Sequence, residues 1–367
     1  MKKPKILAFY LPQFHEIPEN NKWWGKGFTE WTNVKKAKPL FRRHNQPRVP
    51  LNNNYYNLLD EKTRIWQAKL AKKYGIYGFC YYHYWFKGKK LLEKPAELML
   101  KSKKPSFPFC FSWANESWSR TWYDNNQEIL MKQNYGTKED WKKHFKYLLK
   151  FFKDKRYIKV NNKPLFLIYK PSQINELDSM IEYWNHLAKR EGFNGIHIVE
   201  TLTSSQKKPM FKYSEGIIFY EPGYTMFNHN LLRRIKIKIK SNVNGTFENK
   251  YLLNRIDYDK IYGEIIKRNL SNFRKKVYIG SFVDYDDVSR KKYQGYIFNN
   301  VTPKKFEKYL SQLLKKSQGI GSEFIFLTAW NEWAEGAYLE PDGKNRYNFL
   351  KAIKKCSEKY SLKNHYK

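Results

Sequence analysis

Acidic residues are scarce in this chain: 34 Asp and Glu stand against 70 Lys and Arg among 367 residues, for a formal net charge of +36. Cysteine is scarcer, with only Cys80, Cys110 and Cys356, far apart in sequence. That argues against a disulfide framework and for reduced core thiols. No run of about 18 apolar residues is present, so no membrane-spanning helix is expected. The apolar start Ile6 to Leu11 is broken by Pro12, Gln13 and His15 before a signal-peptide core could form, which makes a cytoplasmic address the expectation. A G-x-G-x-x-G nucleotide-binding fingerprint is missing, as are Cys-x-x-Cys pairs, zinc-finger spacing and RNP-like segments. The cationic excess therefore allows attraction to anionic polymers or lipid. Peripheral contact with an anionic membrane at its inner face is one partnership this charge allows, a solvated cationic surface being the bland reading; no specific nucleic acid is expected.

What is abundant is aromatic. Phe, Trp and Tyr make up 18% of the chain, with 12 Trp and 29 Tyr, supplying flat apolar faces that fill a core or line a sugar cleft. Short apolar runs alternate with longer amphipathic stretches, the pattern of strand-helix repeats around a parallel sheet. Eight such runs can be counted: Ile6 to Tyr10, Gly78 to Tyr82, Phe107 to Phe111, Pro164 to Tyr169, Gly195 to Glu200, Gly216 to Tyr220, Val277 to Gly280 and Phe324 to Leu327. Helices are predicted over Thr63 to Tyr74 and over Ile174 to Arg190, the latter closed by Gly192. The fold class expected is α/β, a single (β/α)8 TIM barrel over residues 1–367 with long βα-loop insertions at about 16–60 and about 222–275.

In such a barrel the residues just after each strand share one face, where barrel enzymes keep their active sites. Those residues are rich in chemistry. Tyr10 and His15 close the first run, His83, Tyr84 and Trp85 the second, and Trp113, Asn115, Glu116 and Trp118 the third. Tyr169, Glu200, Glu221 and Asp284 close the fourth to seventh, and Trp330, Asn331, Glu332, Trp333, Glu335 and Tyr338 follow the eighth. Glu332 and Glu335, three residues apart on a turn, would sit roughly 5–6 Å apart, near the ~5–5.5 Å of retaining glycosidase pairs. The bland alternative is a Trp-rich cap carrying two solvated glutamates. His83 is read as facing the cleft rather than the core, and Glu116 as either a third functional carboxylate or a partner for Arg120. Trp113 and Trp118 are stacking platforms or a buried wall. Asp284, Asp286 and Asp287 are read as solvated loop charge rather than a metal site, and no metal or cofactor is expected.

The first insertion carries Trp23 to Trp31, with Trp31 a binding candidate, and is too aromatic for an idle linker; it should fold over the barrel mouth. In the second, Leu231 to Lys240 alternates apolar and cationic residues, which predicts a strand or extended segment with one cationic face.

The segments Phe9 to His15, Trp23 to Trp31, Gly78 to Phe86, Phe111 to Trp122 and Ala329 to Asp342 resemble the WbsX-type, glycosyltransferase-like proteins of bacterial surface-polysaccharide clusters. That family is related to glycoside hydrolase family 99, the retaining endo-α-mannosidases and mannanases. The resemblance implies a metal-independent (β/α)8 enzyme acting on an oligosaccharide or polysaccharide, free or lipid-linked. It implies that Glu332 takes the proton of the sugar 2-hydroxyl, which attacks the anomeric carbon, while Glu335 is acid and then base. One departure is Ser281 to Asp287, where many relatives carry Trp-Asp-Asn. The expected function is glycosyl transfer or transglycosylation with retention in O-antigen or capsule synthesis. Hydrolysis is the alternative, and a non-catalytic glycan- or nucleic-acid-binding protein the second.

Overall fold

Strands buried on both faces read as continuous apolar runs, and all nine residues of the second strand are buried. In the computed structural model, which describes residues 3–120, 128–228 and 230–362, the eight runs form eight parallel strands. These are β1 (Lys5–Tyr10), β2 (Gly78–Phe86), β3 (Phe109–Trp113), β4 (Lys163–Ile168), β5 (His197–Leu202), β6 (Gly216–Phe219), β7 (Lys276–Phe282) and β8 (Phe324–Thr328). They pair in sequence order and close on themselves: Ala8 of β1 is in register with Phe79 of β2 on one side and Leu327 of β8 on the other. The architecture is therefore a closed (β/α)8 barrel.

The helices lie between strands. α1 (Pro18–Trp24), α2 (Glu30–Lys36) and α3 (Glu61–Lys73) follow β1, α4 (Lys94–Ser102) follows β2, α5 (Lys138–Phe152) follows β3 and α6 (Leu177–Arg190) follows β4. β5 passes to β6 through residues 203–215 without an α-helix. α7 (Gly223–Asn228), α8 (Leu231–Phe247) and α9 (Tyr258–Lys267) follow β6, α10 (Val288–Lys291) and α11 (Pro303–Gly319) follow β7, and α12 (Asn348–Leu362) follows β8. α6 shows the logic of the outer ring. Leu177, Met180, Ile181, Trp184 and Ala188 recur at helical spacing and are all buried, each large side chain contributing about 1.5–3 kcal/mol of burial. The helix stops before Gly192, whose φ of +86° suits glycine. All three cysteines are free and buried.

The segment Leu231 to Lys240 is a helix and not the extended strand its alternation predicts. An isolated extended segment would leave its backbone groups without partners, whereas a helix satisfies its own. Asn230 caps α8 by accepting a hydrogen bond from the Arg233 amide at 2.8 Å, and Lys and Arg are good helix formers. Ile237 and Asn244 turn inward, and Arg233 reaches Glu264 at 2.7 Å. No helix among the described residues is long and apolar enough to cross a membrane.

Candidate active site

The loop after β8 is built to project carboxyls into the barrel mouth. The Asn331 side chain accepts from the Leu11 amide at 2.8 Å and donates to the Leu11 carbonyl at 3.0 Å, locking this loop to the end of β1. Asn331–Glu332 then pairs antiparallel with Ala337–Tyr338 across a 3-10 turn, Trp333–Glu335. Gly336 closes that turn at φ +60°, and a Cβ there would meet the Asp286 Cβ at 2.9 Å. Behind the turn, Trp333 stacks on Tyr338 at 3.8 Å and its indole donates to Glu340 at 2.7 Å.

A cleft of about 270 Å³ opens above Glu332 and Glu335, walled by Leu11, Gln13, Trp24, Tyr82, Tyr84, Glu116, Trp118, Tyr169, Tyr220 and Arg290. Arg290, from α10, organises its charge. It donates to Glu30 at 3.0 Å, to Glu335 at 2.6 Å and, more distantly, to Glu332 at 3.5 Å. Glu30 comes from α2 and Trp24 from α1, so the first insertion contributes side chains to this cleft; Arg120 also donates to the Trp23 carbonyl at 3.1 Å. Burial, then the charge of Glu335, pushes the Glu332 carboxyl well above the usual range against the pull of Arg290. Burial also raises Glu335, and Arg290 holds it back. Two buried carboxyls beside one cation disfavour ionising together. Burial raises Glu116, opposed by Lys170 at 3.7 Å. In the same lining, the Tyr82 and Tyr220 hydroxyls bond at 2.6 Å.

Six sequence-derived candidates thus meet in one cleft: Tyr84, Glu116, Trp118, Tyr169, Glu332 and Glu335. The others lie elsewhere, and strand geometry explains several. Side chains alternate across a strand, so Tyr82 and Tyr84 face the lumen while His83 and Trp85 face the outer helices. His83 is a core residue: its Nε2 meets His144 Nε2 at 2.8 Å and burial pushes its pKa down to about 3. Trp85 stacks on His144 at 4.6 Å, and Trp113 is part of the same buried wall. Tyr10 points to Gln67, Trp31 packs on Trp333, and Trp330 packs on Phe79. Buried His15 is driven down to about 4 by burial. Asn115 holds the Lys170 backbone, and Tyr338 donates to Asp342. Glu200 accepts from Gln206 and two backbone amides, and Glu221 from Thr225 and Arg268.

The seventh-strand aspartates are not solvated loop charge. Asp286 and Asp287 are 1% exposed. Burial would raise Asp286, yet His44, Arg48 and Gln46 of the first insertion outweigh it and hold the carboxyl low. Asp284 bonds Arg48 at 3.0 Å and Asp287 pairs with Lys291. No group of three or more potential metal ligands occurs among the described residues. Glu116 does not partner Arg120, which pairs with Glu128 at 2.7 Å. The end of the motif beyond Arg120, including Trp122, lies outside the described residues. Sequence reasoning missed Tyr82, Tyr220, Trp24 and Arg290. Parity with Tyr84 and position at the end of β6 would have found the two tyrosines; nothing in the sequence singles out Arg290.

The family model for Glycosyltransferase WbsX matches residues 6–353. The chain belongs to the WbsX glycosyltransferase family. Two sequence relatives, both named WxcX and described as uncharacterised, come from strains of Xanthomonas campestris pv. campestris; each is 31% identical over 354 residues. The match covers 96% of this chain but 49% of each relative, so the chain spans about half their length. Among solved structures, the family 99 endo-α-mannosidase of Bacteroides thetaiotaomicron, in complex with Bis-Tris propane, superposes with a TM-score of 0.58 at 12% identity over 99% of both chains. A glycoside hydrolase-like protein gives 0.59 at 13% identity, over 97% of this chain and 94% of its own. At those identities the likeness concerns the barrel fold.

Proposed function

We propose that the cleft breaks and remakes a glycosidic bond with retention, transferring a glycosyl group in the assembly of a bacterial surface polysaccharide such as an O-antigen or capsule. The observation that carries this reading is the pair of buried Glu332 and half-buried Glu335 facing one cleft beside Arg290. In the first step Glu332 takes the proton of the donor's 2-hydroxyl, whose oxygen bonds to the anomeric carbon as the bond to the leaving group breaks. Glu335 gives its proton to the departing oxygen. In the second, Glu335 takes the proton of the acceptor hydroxyl, that oxygen bonds to the anomeric carbon, and the 2-oxygen leaves and recovers its proton from Glu332. Burial raises both carboxyls, so the pair holds one proton more readily than two charges. A donor 2-hydroxyl bonded to Glu332 favours its ionised form and passes the proton's place to Glu335.

Three carboxyls and one arginine line the cleft, which repels a nucleotide diphosphate and suits an oligosaccharide donor, free or lipid-linked at the inner membrane face. Hydrolysis is the second reading, favoured by the 22% exposure of the Glu335 side chain, which leaves it within reach of water. Incubation with oligosaccharide donors, with and without acceptor, tests the choice. Elongated acceptor of retained anomeric configuration, read by mass spectrometry and NMR, is the expected result. Reducing sugar released without acceptor would establish hydrolysis instead, and inverted product would overturn the mechanism.

A further inference from the structure

α8 is amphipathic in an unusual sense: its apolar stripe faces solvent. Leu231, Ile235, Ile239, Val243 and Phe247 follow one another at four-residue spacing, with Leu232 beside them, on the side opposite the inward-turned Ile237 and Asn244. Their exposure is high, 68% and 78% at Leu231 and Leu232 and 73% at Phe247. Seven of the eleven exposed large hydrophobic residues in the described chain fall within this helix and the adjoining Tyr251. An apolar patch of that extent on a soluble face marks an interaction site.

The charge around it identifies the occupant. α8 holds five Lys and Arg and no Asp or Glu, and exposed Arg234, Lys236 and Lys238 flank the stripe. Beside it runs a groove of about 400 Å³ to which Lys240, Arg255 and Lys260 also contribute. Two copies of this face would bring like charges together, and a phosphate backbone offers nothing for leucines to enter. Apolar side chains between cations match the boundary between anionic headgroups and acyl chains.

We propose that α8 docks this protein on an anionic lipid bilayer, its apolar stripe entering the headgroup boundary and its cations meeting lipid phosphates. The orientation follows from how α8 is held. Ser241 and Asn244 donate at 3.2 Å to the Gln294 and Tyr293 carbonyls, in the turn that continues from α10 and Arg290. The docking face therefore lies at the mouth end of the barrel, and it is independent of which bond the cleft acts on.

The test is sedimentation of the full chain with vesicles of phosphatidylcholine alone and of phosphatidylcholine mixed with phosphatidylglycerol. Binding to the mixed vesicles only is expected, weakened at least about tenfold by combined Leu232→Glu, Ile235→Glu and Ile239→Glu, with circular dichroism and thermal midpoint unchanged. A Phe247→Trp variant, whose indole emission should shift to the blue on the mixed vesicles alone, reads insertion without removing the stripe. Three results would overturn the proposal: no partition to mixed vesicles, equal binding by the triple variant, or a self-associated wild type that the triple variant makes monomeric.

Discussion

Arg290 decides how three carboxyls share their charge. It is the close partner of Glu30, which is fully buried, so Arg290→Met strands a charge in the interior and should destabilise the fold by about 3–5 kcal/mol. The same change withdraws the cation holding Glu332 and Glu335 down, so the acid limb of a pH–rate profile should move to higher pH while Arg290→Lys largely restores it. An unmoved limb would remove Arg290 from the site's electrostatics. Glu335→Gln should lower turnover roughly 10²–10⁴-fold, the worth of one positioned proton donor, with glycan binding by calorimetry preserved; unchanged turnover would end the assignment. Glu340 probes the foundation. Burial pushes it up to about 7 despite donors from Trp333, Gln67 and Tyr56. Its raised folded value means a contribution present below about pH 4.5 and lost as pH climbs through 7, roughly 3 kcal/mol in all. Buried His83, depressed to about 3, runs the other way, its contribution fading as pH falls below about 6.5. Urea titrations across this window should therefore show Glu340→Gln losing more stability on acidification than the wild type; parallel curves would contradict the assignment.

Elements were legible to the degree that their pattern has one physical solution. The run Phe324 to Leu327 followed by Asn331 to Gly336 announced both a strand and the carboxyl pair that follows it, because apolar strands end where polar loops begin. The second run was harder. Taking His83, Tyr84 and Trp85 together ignored the two-residue period that sends Tyr84 inward and its neighbours outward. In α8 the period-two pattern was real, yet tertiary context offered no edge to pair with, and helix won. At the turn, Gly336→Ala forces a side chain into a left-handed position against Asp286. A loss of about 1–3 kcal/mol is expected, and since Glu335 and Asp286 are joined there through backbone at 2.7 Å, kcat should fall with it. A stability loss that leaves kcat intact would show that the turn does not position Glu335.

At the scale of the molecule, eight apolar runs were enough to foresee the barrel, since alternating strand and helix patterns have few closed solutions. The net charge of +36 foretold little about the cleft, whose lining ions are three glutamates and one arginine; bulk charge is a sum over surface, and the site is an exception to it. Closure also sets a timetable. β1 lies between β2 and β8, with Lys5 in register with Phe324. On a ribosome adding about 5–20 residues per second, the first strand made waits roughly 15–60 s for its second neighbour. During that interval one edge of β1 carries open backbone donors and acceptors, so the nascent chain's exposure to misassembly is governed by the speed of translation between β2 and β8.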